Sequence, residues 1–249
     1  MVFSGRIYET DGAQAIGVHE ADAVRPLTPV PQPASVRFFR HDAQISLPDG
    51  SPPEEPSFFY GNPACLVGAS QIINHPEFTS ELGFDAYLGV VLVADAYKID
   101  VDMAEEAILG FTILSVLVAR DVERSERAAR VGFGRSHDLG IAFGPVITTP
   151  EELEDVSVNI GSGKGYQLSV VTRVNGVEIG RGNVEDLTFT AAQAISSASQ
   201  SCTLRSGDLI ALGPLVDEGD EPVNLKAGDE VQVSVELLGT LSLKLNQTL

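Results

Sequence analysis

Residues 84–97 read FDAYLGVVLVADAY, and their reading sets the fold. The run reads as a strand. Side chains two apart on a strand share a face, so Asp85 and Tyr87 are expected to point the same way. A carboxylate beside a phenol on one face raises the question of whether that face can hold a metal ion.

Outward from this strand the downstream pattern is mostly β. MAEEAILGF (103–111), preceded by Asp100 and Asp102, is expected to be helical, as is TAAQAISSASQ (190–200). ITTPEELEDV (147–156) has Thr149 placed as a cap, Pro150 at the first helical position and acids in the first turn, the signature of a short helix. YQLSVVTRVNGVEIGRGNVEDLTF (166–189) is strand, Asn-Gly turn and strand. LRSGDLIALGPL (204–215) and LKAGDEVQVSVELLGTLSLKL (225–245) each set Gly-Asp in a turn before an alternating strand. IGSGKG (160–165) lacks the spacing of a phosphate loop and reads as a plain loop.

Upstream, residues 3 to 25 alternate around Thr-Asp-Gly like a hairpin, and RPLTPVPQP (25–33) follows as a proline-rich linker. The chain therefore divides into a small N-terminal β segment with linker, 1–34, and a main domain, 35–249. SLPDGSPPEEP (46–56) is a loop long enough for a lid, and a passive surface excursion is equally compatible with its composition. A strand begins at SFFY. The fold class is α+β and β-rich, with no internal repeat.

Composition bounds the function. Of 249 residues 43% are hydrophobic and 20% charged, an ordinary globular balance, and no apolar run approaches the roughly 18 residues of a membrane span. The start, MVFSGRIYETDG, does not read as a secretory signal, so a cytoplasmic location is expected. A formal charge of −19 disfavours nucleic acid and anionic lipid as partners. Cys65 and Cys202 have neither disulfide-framework nor zinc spacing and are expected to be small buried hydrophobes.

Seven collinear stretches carry a more specific signal: PVPQPASVR, PSFFYGNPACLVGAS, AEEAILGFTILSVLVARD, LGIAFGPVITTPEEL, VNGVEIGRGNVEDLTF, LRSGDLIALG and LKAGDEVQVSVELLGTLSLKL. Over roughly residues 26–249 the chain resembles the fumarylacetoacetate hydrolase superfamily. The resemblance implies a mixed β-roll around a pseudo-barrel, a homodimer, and an active site at the mouth of the roll. It also implies magnesium or manganese held by a Glu-x-Glu pair and an Asp on a following strand. Such an ion polarises the oxygens of a 1,3-dicarbonyl or 2-oxo acid.

Against that pattern, this sequence departs at each metal-binding and catalytic position. The Glu-x-Glu place reads Asp85-Ala86-Tyr87, and in SVLVARD the metal-binding Asp becomes Val116 while Arg120 and Asp121 match. Ile45 stands where relatives carry a general-base His, with His41 nearby out of register. His137, in SHDLG, replaces a substrate-facing Lys, and Gly213-Pro214 replaces a Gly-Thr. One shortened carboxylate beside a phenol and a valine does not compensate the dehydration of Mg²⁺, so no cofactor is expected unless Asp85, Glu123 and Asp138 form a substitute magnesium or manganese site.

The candidate catalytic residues are therefore His137, Asp85 and Tyr87, with Phe59, Tyr60, Val116, Glu123, Asp138 and Pro214 as substrate-binding positions. Each has a plainer alternative. His137 is either acid–base chemistry in a pocket or a turn histidine satisfied by Asp138. Tyr87 donates to an enolate oxygen or packs into the vacated metal cavity. Asp85 pairs with His137 or is a solvated relic. Glu123 is otherwise a surface carboxylate, Phe58, Phe59 and Tyr60 otherwise core, and Arg120 with Asp121 a structural ion pair. His41 reaches the site only if its segment closes as a lid, while His19 and His75 read as peripheral.

The leading function is a metal-independent enzyme of specialised, biosynthetic metabolism acting on a carbonyl or enol small molecule. Its chemistry would be isomerisation, dehydration, decarboxylation or cyclisation. A divergent carbon–carbon hydrolase with substitute metal ligands and a non-catalytic ligand- or partner-binding protein stand as alternatives.

Overall fold

The FDAY stretch forms the centre of the largest sheet. In the computed structural model, which describes residues 2–3, 6–11, 14–20, 28–30, 32–40, 55–161, 163–217 and 222–246, strands β1 (Val2–Phe3), β2 (Arg6–Asp11) and β3 (Gln14–Glu20) form a small antiparallel sheet. The hairpin expected around Thr-Asp-Gly is the β2–β3 pair.

The chain continues with β4 (Val36–Arg40), β5 (Phe58–Gly61), β6 (Leu66–Gly68), β7 (Gln71–Asn74), β8 (Leu82–Leu92), β9 (Ile108–Ala119) and β10 (Ile141–Thr148). The hairpin strands β11 (Ser157–Ile160) and β12 (Gly163–Tyr166) follow, then β13 (Ser169–Val174), β14 (Val177–Asn183), β15 (Leu209–Gly213), β16 (Glu230–Val235) and β17 (Gly239–Asn246). A seven-stranded sheet runs β5-β4-β15-β8-β9-β10-β6 and a five-stranded sheet runs β14-β13-β16-β17-β7. The result is the β-rich curled architecture the sequence implies.

Strand β8 is buried along its whole length, so both of its faces must be apolar. One face, with Phe84, Ala86, Leu88 and Val90, joins the main core between the sheets. The other carries Tyr87 and Val91 into a smaller cluster with Val36, Phe38, Leu114, Val116 and Phe143. The β8–β9 ladder sets Asp85 opposite Val116 and Tyr87 opposite Leu114. Asp85 and Tyr87 share a face, as their spacing requires.

Among the described residues three α-helices join the strands: α1 (Val101–Glu106), α2 (Arg120–Ala128) and α3 (Ala191–Ser199). The first is shorter than its sequence suggested. Asp100 caps it through Met103 N, but Ile108 to Phe111 belong to β9, where β-branched and aromatic side chains pack between strands. Thr190 and Gln193 close a capping box at the start of α3. Pro150–Val156 is a 3₁₀ helix whose cap position, Thr149, makes no side-chain capping bond.

Helix α2 has no counterpart among the expected helices, because RDVERSERA offers no apolar stripe. IGSGKG also differs from expectation: Ile160 pairs with Gly163, so the segment is the tip of the β11–β12 hairpin. The Asn-Gly turn is as read, with Asn175 and Gly176 both at positive φ (53° and 78°) as a two-residue hairpin demands. Of the lid-length loop, residues 46–54 lie outside the described residues, as do His41 and Ile45.

Neither cysteine is a passive hydrophobe. Cys65 donates from Sγ to Asp138 (3.0 Å), and Cys202 Sγ accepts from Arg37 Nη2 (3.3 Å). Burial and the Asp138 carboxylate push the Cys65 thiol up to about 12.

Candidate active site

Strand β9 runs directly into α2, so the first turn of that helix stands at the end of the β8–β9 ladder, beside Asp85. Arg120 N continues the ladder by donating to Glu81 O (2.8 Å). Asp121 fixes the junction by accepting from Thr79 Oγ1 (2.5 Å), Ser80 N (3.1 Å) and Val122 N (2.9 Å). The expected Arg120–Asp121 ion pair is thus absent: the neighbours point apart, Asp121 to the preceding turn and Arg120 into the site.

Arg120, Glu123 and Arg127 are three and four residues apart and share one face of α2. Arg120 Nη2 reaches Asp85 Oδ1 at 2.6 Å, and its Nη1 reaches Glu123 Oε2 at 3.1 Å. Glu123 Oε1 also accepts from Arg40 Nη1 (3.1 Å), at the end of β4, and from Arg127 Nη2 (2.9 Å). Arg40 Nη1 stands 3.8 Å from Asp85 Oδ2. Among the described residues, three guanidiniums thus surround two carboxylates. Arg40 and Arg127 both lie over the Phe133 ring, 5.4 and 4.7 Å from its centre.

Burial would raise the pKa of Asp85, but the charge and hydrogen bond of Arg120, with Arg40 behind it, outweigh burial and hold the carboxyl below its usual range. The balance at Glu123 is the same, with Arg120, Arg127 and Arg40 prevailing. Both acids are ionised at neutral pH. Asp85 is therefore neither a solvated relic, at 4% exposure, nor hydrogen-bonded to His137, because Arg120 takes it; Glu123, at 6%, is not a surface carboxylate.

These groups form the floor of an open cleft of about 500 Å³. The opposite wall is a strap after β15 that contributes Pro214, Val216, Pro222 and Val223. Of the sequence candidates, Asp85, Glu123 and Pro214 border this cleft.

Val116 and Tyr87 lie beneath it, fully buried. The Tyr87 ring meets Phe38 edge-on at 5.0 Å and its hydroxyl is 3.5 Å from Asp85 Oδ2. Packing is thus the reading of Tyr87 that the geometry favours.

His137 and Phe59 sit in a neighbouring aromatic layer, each 5.0 Å from Phe133 and from one another. Asp138 does not satisfy His137. It is exposed and accepts from Asn62 Nδ2 (2.8 Å) and Cys65, outside the cleft. Tyr60 also points elsewhere, 60% exposed, packed on Phe58 and under the Arg37 guanidinium. Consecutive strand residues face opposite sides, so Phe59 and Tyr60 could not both line one site. His75 is peripheral, its Nε2 3.1 Å from Leu225 O.

His137 is buried, with Nδ1 2.8 Å from Ser136 Oγ. Ser136 Oγ in turn donates to Glu126, a carboxylate that only accepts. The serine proton being spent there, His137 Nδ1 carries the imidazole proton and Nε2 the lone pair. That Nε2 is buried without a hydrogen-bond partner among the described residues. Burial holds the imidazole down at about 4, against the raising effect of Asp85 and Glu123. It is neutral at pH 7.

The donor set does not suit a divalent cation. Asp85 and Glu123 are already neutralised by arginines, Val116 faces Asp85 with no oxygen, and Asp138 is remote from both. Among the described residues no group of three or more His, Cys, Asp or Glu side chains is placed to hold a metal. Arg40, Arg127 and Phe133 went unread in the sequence; the signal available was RDVERSER, whose charges recur at helical spacing.

A strand-built roll with this charged mouth belongs to the fumarylacetoacetate hydrolase family: the family described as "Fumarylacetoacetate (FAA) hydrolase C-terminal" matches residues 32–246. Relatives include oxaloacetate tautomerase YisK of Bacillus subtilis, 28% identical over 223 residues (86% of this chain, 70% of the relative). The 2,4-didehydro-3-deoxy-L-rhamnonate hydrolase of a Sphingomonas species is 30% identical over 204 residues (80% and 67%). Among solved structures, a fumarylacetoacetate hydrolase from Exiguobacterium antarcticum superimposes with a TM-score of 0.72 at 25% identity, covering 89% of this chain and 78% of that one. Relatives of this chain thus bear tautomerase and hydrolase names.

Proposed function

We propose that the chain is a metal-independent enzyme of the tautomerase or isomerase kind, acting on a small carbonyl or enol substrate that carries an anionic oxygen. The observation that carries this reading is the guanidinium cluster on the cleft floor. Isomerisation, decarboxylation, dehydration and ring closure beside a carbonyl share one need, stabilisation of negative charge developing on oxygen. A guanidinium meets that need with a fixed fork of donors and a charge that no physiological pH removes. Arg127 spends Nη2 on Glu123 and is partly exposed to the cleft, so its remaining donors are available to a substrate carboxylate or enolate.

The tautomerase name of a relative agrees with this chemistry. Hydrolysis is less well served, because the position where the family resemblance puts a water-activating His is Ile45. A biosynthetic setting fits a cavity retained while its ion-binding residues changed.

The test is deuterium exchange at C3 of 2-oxo acids, followed by NMR in D₂O with protein stripped of metal. Enzyme-dependent exchange that is indifferent to chelator, and an Arg127→Gln variant with KM raised at least about tenfold, are expected. Exchange abolished by chelator and restored by Mg²⁺ would overturn the proposal. Saturable binding with no exchange would instead favour a non-catalytic binding protein.

A further inference from the structure

The strap that walls the cleft is tied to the edge of β8 at both ends. Leu215 N donates to Ala86 O (2.8 Å) and Leu225 N to Leu82 O (2.7 Å). Because side chains alternate along β8, the strap has Asp85 on one side of it and Phe84 and Ala86 on the other. On that second side lies a small hollow of about 30 Å³, bounded by Phe84, Ala86, Thr172 and Ile179. Val216, Asp217 and Val223 line both the hollow and the charged cleft, so strap side chains are the wall between them.

Resting on the function proposed above, we infer that the substrate bears a short alkyl group opposite its anionic end, and that this group enters the hollow between Val216 and Val223. Three features point to an alkyl group. Five of the seven residues that border the hollow, Phe84, Ala86, Ile179, Val216 and Val223, carry hydrocarbon side chains, and the hydroxyl of its one neutral polar residue, Thr172, already donates to Gly180 O (3.4 Å). Its volume admits about two heavy atoms, taking roughly 10–15 Å³ as the room one water-sized sphere needs. Asp217 stands on the shared rim, where it repels a second carboxylate.

The cleft is polarised in the same sense. Its arginines, Arg40, Arg120, Arg124 and Arg127, are gathered on and around α2, its strap side presents Pro214, Val216, Pro222 and Val223, and the Asn224 amide is engaged by Leu82 N and Ser80 O. A monoanion with an apolar branch matches this arrangement, whereas a dicarboxylate sets one anionic end against Asp217.

The experiment is calorimetric binding of straight-chain 2-oxo monocarboxylates of three to six carbons, with oxaloacetate and 2-oxoglutarate as dicarboxylate probes. Affinity is expected to rise about fourfold per added carbon for two carbons and then level off. Each dicarboxylate should bind at least tenfold more weakly than the monoacid of equal length. Ile179→Trp, at the half-exposed rim, should flatten the chain-length dependence, and Asp217→Asn should recover dicarboxylate affinity. Equal affinity along the series, or preference for a dicarboxylate, overturns the alkyl inference while leaving the anionic-substrate reading intact. Failure of every acid to bind, with Arg127→Gln without effect, overturns both. Were Ile179→Trp to misfold by circular dichroism, the Asp217→Asn arm and the wild-type series decide the matter.

Discussion

Arg120 Nη2 lies 2.6 Å from Asp85 Oδ1, both side chains shielded from water, so the helix that follows β9 is pinned near the start of β8 by a charge-assisted contact. Breaking such a pair strands a charge in a place where water cannot solvate it. Arg120→Met is accordingly expected to lower stability by about 3–5 kcal/mol, read from urea unfolding. Arg120→Met combined with Asp85→Leu should recover a large part of that loss. A double variant no more stable than the single one would mean that Arg120 acts through Glu123 alone.

His137 supplies a pH signature. Its pKa is about 4 in the folded chain, against 6.5 when unperturbed. Below pH 6.5 the unfolded chain takes up a proton that the folded chain refuses, so stability falls as pH falls from 6.5 to 4. The full effect of this one group is about 3 kcal/mol. His137→Gln should remove that part of the slope, measured as the difference between wild-type and variant unfolding free energies at pH 7 and pH 4.5. Parallel curves for the two proteins would show that the imidazole is not buried neutral.

Asp85 and Glu123 act in a lower window. Their pKa values are depressed, so the stability they contribute is fully present above their unfolded values, 3.8 and 4.5, and is lost as pH falls through the folded ones. Glu123→Gln is expected to destabilise the protein at neutral pH, because three arginines lose a shared anion, and by less in acid, where wild type also loses it. The check is thermal unfolding at pH 7 and pH 3.

Metal dependence offers a fourth test. Chelator, or millimolar Mg²⁺, should leave the thermal midpoint of the wild-type protein unchanged within about 1 °C, since an ion that binds only the folded form raises it by mass action. Val116→Asp should destabilise the fold, because the new carboxylate would be buried opposite Asp85. A midpoint that climbs with Mg²⁺ in the wild-type protein would contradict the donor-set argument.

What the sequence determined by itself follows from local rules. The run FDAYLGVVLV specified β8, and the two-residue repeat of a strand put Asp85 and Tyr87 on one face; Asn175-Gly176 specified a hairpin; TAAQAISSASQ specified a helix. These are contacts between near neighbours, fixed by backbone geometry. Seven stretches in order were enough to indicate the roll.

The tertiary structure alone decided the electrostatics of the site. Arg40, Asp85 and the α2 trio are separated in sequence by 35 positions or more between segments, and no periodicity links them. Whether Asp85 met His137 or Arg120, and whether Glu123 was surface or floor, depended on where β9 ends and α2 turns. That is fixed by long-range packing, and charge interactions depend on distance and burial, neither of which a linear pattern contains.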